Sequence, residues 1–543
     1  MTKHFLTFLL IAALGSAAAL AQDKTPPLAS VKVQSLDALT SAARRLATAL
    51  GVGNEWNPET QLATALGSPN LAGVDRKKPW RLSLALSGPG GSSLIVLYVP
   101  VTDFEAFKNG LPDSSLLRGA GSKNELLKSG DFAVVVFRQG QAAESSAAEK
   151  QALAAGAPAT TAGAHLLEVF IQPDEAARQQ ALGLLAIGRM GLIQAVAGQK
   201  KTDGMPFNPQ ALTEMMGWYL DGIETFVRGL DRLEVQADLG DLSITINKKI
   251  TAVADSDLSR WFKPTGTGLS DLPNLLDPKA TVSFAAAIGP KPAFMPGLKK
   301  LVRLGFQMQN QEIDEKTAGQ IDQMLDTLAP MRFAGSVDWA KNMSMAGVYE
   351  FPGVGAKKAY DSFKKFFTDA MPAMTGTNKA YSSFVFKEAM RKLGDVPVDR
   401  FTMTINLDAP MLKMPGQREA MEAMWGGGKM EIEYAVKGDR LYFANPEKMA
   451  DVLNASPRSG TKDEMAATPE TAVVGRANIL TLVKQMMAIN PMIPAALKES
   501  AARLNTQGAD VRFRVNMDGR LSGRAEIPLT LLQAIRQLHE AVR

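Results

Sequence analysis

From residue 30 onward the apolar and polar positions fall in short blocks that switch between a period of two and a period near 3.6. Ser30 to Gln34 alternates as a strand and feeds a helical pattern at Leu36, Leu39, Ala43, Leu46 and Leu50. Arg81 to Leu86 and Leu94 to Val99 predict a hairpin across the glycine- and proline-bearing turn Ser87 to Ser92. Thr102 or Asp103 then caps a helix carrying Phe104 and Phe107, and Phe132 to Phe137 predicts a further arm after Lys128-Ser129-Gly130-Asp131. The alanine-dense stretch Gln139 to Ala164 predicts a short helix near Glu144 to Leu153 followed by a flexible connector. His165 to Ile171 reads as a strand and Asp174 opens helices reaching about Val227. Leu233 to Ala237 pairs with Leu242 to Ile246 around Asp238-Leu239-Gly240-Asp241, before a separate strand at Ile250 to Ala254.

The second half repeats this plan. Ala280 to Ala286 is a strand leading through Pro290 and Pro296 into a helix with Leu298, Leu301, Val302 and Phe306. Met430 to Val436, the turn Lys437-Gly438-Asp439 and Arg440 to Ala444 match the arm at Ser129-Gly130-Asp131, and Ala472 to Gly475 matches His165 to Ile171. The last hairpin sets Val511, Phe513, Val515 and Met517 on one face and Arg512, Arg514 and Asn516 on the other, with Asp518-Gly519 as the turn. The expected fold is therefore α+β, with antiparallel sheets carrying helices on one face and a tandem duplication of residues 27–262 and 279–543 across a Gly/Pro-rich linker, 263–278. Two unrelated α+β domains are the alternative.

The N-terminus carries a different signal. Lys3 precedes the apolar run Phe5 to Leu14, and small residues lead to Ala19-Leu20-Ala21, the order of a secretory leader cleaved after Ala21. Residues 1–21 are thus expected to be removed and the rest to be periplasmic or secreted. No later run is long and apolar enough to predict a membrane span. A formal charge of +5 over 543 residues gives no reason to expect a nucleic-acid partner. The absence of cysteine removes disulfides and thiolate metal sites, so stability is left to packing.

The phrase Val99-Pro100-Val101-Thr102-Asp103-Phe104, the hairpin at Ser129-Gly130-Asp131-Phe132 and the strand series Leu233 to Ala254 running into Asp257-Leu258 resemble a group of exported bacterial proteins built from repeated strand, helix and hairpin units. The resemblance lies mainly in the first half. It implies fold and export, and no functional residue follows from it.

Candidate chemistry is thin. Once the leader is removed two histidines remain, His165 at a loop-to-strand junction and His539 near the C-terminus, and no G-x-S-x-G elbow exists. The S-x-x-K matches at Ser459 to Lys462 and Ser362 to Lys365 lack the accompanying S-D-N and K-T-G elements. Gly353-Val354-Gly355 and Gly426-Gly427-Gly428-Lys429 lack the spacing of a phosphate cradle and read as loops. Of the 26 methionines, Met343-Met345, Met411-Met414 and Met421-Met424 have spacings that suit Cu(I), against the weightier reading of core filler; no metal or other cofactor is expected.

Glycoside hydrolysis needs little beyond two carboxylates. Glu431 and Glu433 share a strand face, and Asp255 and Asp257 form a second pair; a solvated strand face and a helix cap are their plainer readings. From Arg503 on there are seven arginines and no lysine. Arg512 and Arg514 share one strand face and Arg520 and Arg524 share parity on its partner, so up to four guanidinium forks line one surface suited to carboxylate or phosphate, against the plainer and weightier reading of a solvated sheet face. The functional expectation leans away from an enzyme. It is an exported binding or scaffold protein whose partner is an acidic envelope component or another exported protein, with an envelope glycan hydrolase as the alternative.

Overall fold

The computed structural model describes residues 28–51, 59–60, 63–64, 71–87, 92–111, 125–138, 153, 164–197, 209–263, 268–269, 271–277, 279–290, 292–308, 314–338, 343–375, 381–409, 417–425, 427–455, 467–490 and 493–542. The expected leader, most of the helix expected near Glu144 to Leu153, and Ser459 to Lys462 lie outside the described residues. The chain forms two compact units, Met1–Leu185 with Phe226–Ala254, and Ala186–Thr225 with Asp255–Arg543. Both are α+β and antiparallel, as the alternation of periods predicts.

The first unit contains β1 (Ala29–Val33), β2 (Trp80–Ser87), β3 (Ser92–Pro100), β4 (Glu125–Ser129), β5 (Phe132–Arg138), β6 (Leu167–Ile171), β7 (Leu230–Leu239) and β8 (Ser243–Ala252). Their pairings set the order β4-β5-β3-β2-β1-β6-β7-β8. Ser35 caps the helix Leu36–Ala49 by accepting the Ala38 N–H, and Asp103 caps Phe104–Gly110 through Ala106. Those caps aim Leu36 and Phe107 into a core with Trp80, Val99, Ala133 and Val135. Val96, Tyr98, Val134 and Val136 are buried on the opposite face of the same strands. The strand expected separately at Ile250 to Ala254 is a continuation of β8: Leu230 pairs with Ala252, and Lys248 and Lys249 interrupt the apolar pattern without interrupting the ladder.

The second unit contains β9 (Val282–Ile288), β10 (Met331–Asp338), β11 (Ser344–Glu350), β12 (Tyr381–Leu393), β13 (Val396–Ile405), β14 (Lys429–Lys437), β15 (Arg440–Ala444), β16 (Thr471–Asn478), β17 (Asp510–Met517) and β18 (Leu521–Pro528). Their order is β12-β13-β14-β15-β11-β10-β9-β16-β17-β18. With β12 and β13 set aside, this is the first unit's order strand for strand, β14 standing where β4 does and β18 where β8 does. The agreement extends to register. Ser30 of β1 faces Ser83 of β2, and Ser283 of β9 faces Ser336 of β10. The tight turns at Gly130 and Gly438, at φ 54° and 60°, close the corresponding hairpins, a backbone region that favours glycine.

One face of the second sheet is aromatic. Phe284, Phe333, Tyr349, Tyr434 and Phe443 form a chain of ring contacts, and Gly335, Gly347 and Gly475 lie beneath the rings of Phe333, Phe443 and Phe513. The helix Ala356–Lys365 packs on this face through Ala356, Ala359 and Tyr360. Burial there pushes the Tyr349 phenol up to about 12. The opposite face is lined with small residues, Ala285, Ala334 and Ala444, under Met449 and Leu453 of a short helix. Leu269 and Leu272, at 1% and 0% exposure, join that core, so the Gly/Pro-rich segment expected as a linker supplies core residues to the second unit.

Candidate functional site

A single register row crosses all ten strands of the second sheet on its small-residue face. It runs from Lys387, Arg400 and Glu433 through Ala444, Ala346, Ser336 and Ser283 to Arg476, Arg512 and Glu526. Directly opposed residues of an antiparallel ladder share a face, so the charges gather at the two ends of the row with small side chains between.

At the β12–β14 end, Glu433 is fully buried. Its Oε2 accepts two N–H bonds from Arg391, at 2.6 and 3.2 Å, and its Oε1 accepts two from Arg400, at 2.7 and 3.3 Å. Arg400 also reaches Glu431 at 3.4 Å, and Lys429 donates to Glu431 at 2.7 Å. The Lys429 hydrogen bond holds the Glu431 carboxyl below its usual range. Arg391 reaches the cluster because β12 bulges: between Lys387 and Arg391 it advances four residues while β13 advances two. Asp399 secures the bulge, accepting the N–H of Ala389, which sits at φ 44°, together with the Tyr360 hydroxyl at 2.6 Å. Burial and this carboxylate both raise the Tyr360 pKa. A general acid needs a carboxyl free to hold and release a proton. Glu433 has both oxygens occupied by guanidiniums, and Glu431, pulled toward the ionised form, is tuned away from the general-acid role. The second acidic pair is no closer to chemistry: Ser256 caps the helix Asp257–Trp261, Asp257 pairs with Arg260 at 3.0 Å, and Asp255 sits in a turn at φ 59°.

At the β16–β18 end the hairpin has the expected faces. Arg512, Arg514 and Arg524 lie together on one side, Arg514 directly opposite Arg524. Arg476 of β16, which the sequence reading passed over, joins them opposite Arg512. Its place in a short block with a single charge gives no signal of its own. Arg520 lies exposed in the turn one residue before β18, where its N–H bonds Asp518. Glu526 contacts Arg512 at 3.6 Å and Arg524 at 3.1 Å, and Asp510 contacts Arg476 at 3.4 Å.

His165 is better held than its loop-to-strand position suggests. Its Nδ1 lies 2.7 Å from Asp238 Oδ2, and Asp238 Oδ1 accepts the Leu166 N–H at 3.0 Å. The partner comes from 73 residues away, beyond the reach of spacing arguments. Of the methionines at Cu(I)-like spacings, Met343 and Met345 are half-buried and Met411 and Met414 lie outside the described residues, while Met295, Met403 and Met449 are buried in cores. Among the described residues no group of three or more His, Asp or Glu is placed to hold a metal ion, and no helix is long and apolar enough to cross a membrane.

Asp338, beyond the middle of the row, gives a pH test. Burial works to raise its pKa, but two hydrogen bonds from Thr281 and one from Lys448 outweigh it and leave the carboxyl below its usual range. A carboxyl lowered on folding contributes stability that is complete above its unfolded pKa and lost as the pH falls through the folded one. The melting-temperature gap between the wild type and Asp338→Asn is therefore expected to be widest above ~pH 5 and to close on acidification below ~pH 4. A gap independent of pH would assign the effect to packing.

Comparison with protein-family models, curated proteins and solved structures returns no match.

Proposed function

We propose that this chain is an exported, non-catalytic protein, cleaved after Ala21, that binds an acidic component of the bacterial cell envelope through the arginine face of β16–β18. The carrying observation is the register: Arg476 faces Arg512 and Arg514 faces Arg524, two like-charged pairs on adjoining strands. Like charges directly opposite one another weaken a sheet. Glu526 and Asp510 offset part of that repulsion from within the chain, and an external carboxylate or phosphate meeting the same guanidinium forks would add charge-assisted hydrogen bonds. The matching strand orders and serine registers support the accompanying reading that the two units are tandem copies of one ancestral unit. The leader's charge, apolar run and A-x-A order support export.

The test is retention of the protein by envelope fractions at two salt concentrations, for the wild type and Arg512→Ala/Arg514→Ala. The double variant is expected to bind at least ~10-fold more weakly at low salt, since each bond to a charged group contributes about 1.5–3 kcal/mol. Added salt is expected to narrow the difference. Retention indifferent to both changes would reduce the face to solvated surface, and turnover of envelope polymer by the purified protein would overturn the non-enzymatic reading. N-terminal sequencing of the exported protein is expected to begin at Gln22; Met1 retained on a cytoplasmic chain would refute export.

A further inference from the structure

The helix Glu175–Ala197 turns an uncharged strip to solvent. Leu184, Ile187 and Met190 are 64%, 64% and 58% exposed there, and Tyr219 of the neighbouring helix Pro209–Gly229 is 59% exposed. Arg189, the one charged residue from Gln179 to Ala197, points at the neighbouring helix and pairs with Asp221 at 2.9 Å and Glu224 at 3.9 Å.

Three glycines interrupt the helix on its exposed side, Gly183, Gly188 and Gly191, and a Cβ at any of them would meet no atom of the described residues within 4 Å. Each weakens the helix relative to alanine, and packing among the described residues makes no use of any of them. A second helix approaching closely does use them. Gly183, Ile187 and Gly191 recur every four residues and so form one ridge of the helix surface, a protruding side chain between two notches.

We propose that this strip is the contact between two copies of the chain, crossing about a two-fold axis so that Ile187 of each copy seats beside a glycine notch of the other. A two-fold contact needs a self-complementary patch, and a surface with knob and notch together and no charge is one. A lipid surface fits it less well, because helices lying on membranes carry lysine and arginine along their polar flank. The exposed side chains would bury on the order of 1,000 Å² over both partners, at the low end for a specific interface, so the dimer is expected to be weak, with a Kd on the order of 10 µM.

Sedimentation velocity of the purified protein from ~1 to ~100 µM is expected to show monomer passing to dimer across that Kd. Ile187→Glu, at a site that the monomer leaves exposed, is expected to stay monomeric throughout with an unchanged melting temperature. Gly183→Ala/Gly191→Ala is expected to raise the melting temperature while weakening association at least ~10-fold, a split that a purely structural role for the glycines would not produce. A wild type that remains monomeric at the highest concentration overturns the proposal, as does an Ile187→Glu variant that associates like the wild type. Monomeric protein that floats with anionic phospholipid vesicles would assign the strip to lipid and overturn it equally.

Discussion

Glu433→Gln is expected to destabilise the protein by about 3–5 kcal/mol, the largest loss anticipated for a single polar substitution in this chain. The carboxylate is fully buried, and each of its oxygens receives two N–H bonds from one guanidinium. Removing the negative charge leaves Arg391 and Arg400, 37% and 21% exposed, facing each other across an amide that presents a single acceptor oxygen and two donors. The cost comes from two positive charges left short of their shared carboxylate, Arg400 keeping only Glu431 at 3.4 Å, and not from the worth of the ion pair itself, because placing the ions there took desolvation that their attraction only offsets. That distinction can be measured by urea denaturation. Arg391→Met/Arg400→Met/Glu433→Leu, which removes the buried carboxylate and both of its guanidinium partners together and leaves Glu431 paired with Lys429, is expected to lie within about 2 kcal/mol of the wild type. A Glu433→Gln loss below ~1 kcal/mol would show that the cluster is hydrated in solution.

The contrast between the two ends of this sheet explains what could be foreseen. The hairpin β17–β18 was legible because strict alternation and an Asp518-Gly519 turn set both its faces and its register, and with them the adjacency of Arg512, Arg514 and Arg524. Arg520, one residue before β18, falls in the turn itself, where parity no longer fixes a face. Glu431 and Glu433 were visible as a pair on one face, but the partners that decide their chemistry lie 42 and 33 residues away from Glu433. One of them arrives only through a bulge that breaks the period-two pattern of β12, a strand whose core residues Phe384 and Phe386 are followed by five charged or irregular positions. His165 and Asp238 illustrate the same limit. Local patterning sets elements and faces, while side chains that meet across the sheet depend on strand order.

Strand order was itself half legible. Matching turns at Gly130 and Gly438 pointed to two similar halves; apart from β12 and β13 the two units share a strand order and a serine register. The strands β12 and β13 have no counterpart in the first unit, and they carry Arg391, Arg400 and the Asp399 anchor.

Gly347→Ala is expected to cost about 2–4 kcal/mol, although in an ordinary strand the same change is neutral or better. A Cβ at this position would stand 2.6 Å from the Ala334 carbonyl oxygen and 2.6 Å from the Phe443 ring, so both backbone and side chain would have to give way. Gly475 is confined in the same way, by Phe284 at 2.7 Å and Phe513 at 2.8 Å. Tightly packed interiors yield little to an added methyl, and the strain spreads through the ring contacts joining Phe443 to Phe333, Tyr349 and Tyr434. Combining Gly347→Ala with Phe443→Leu is expected to recover only part of the loss, because the shorter side chain frees the ring side while the Ala334 carbonyl stays in place. Gly188→Ala, with open space around it, should move stability the other way by about 1 kcal/mol. Chemical denaturation of the three variants gives the comparison directly, and a Gly347→Ala protein as stable as the wild type would mean that the rings on this face do not lie over the glycines in solution.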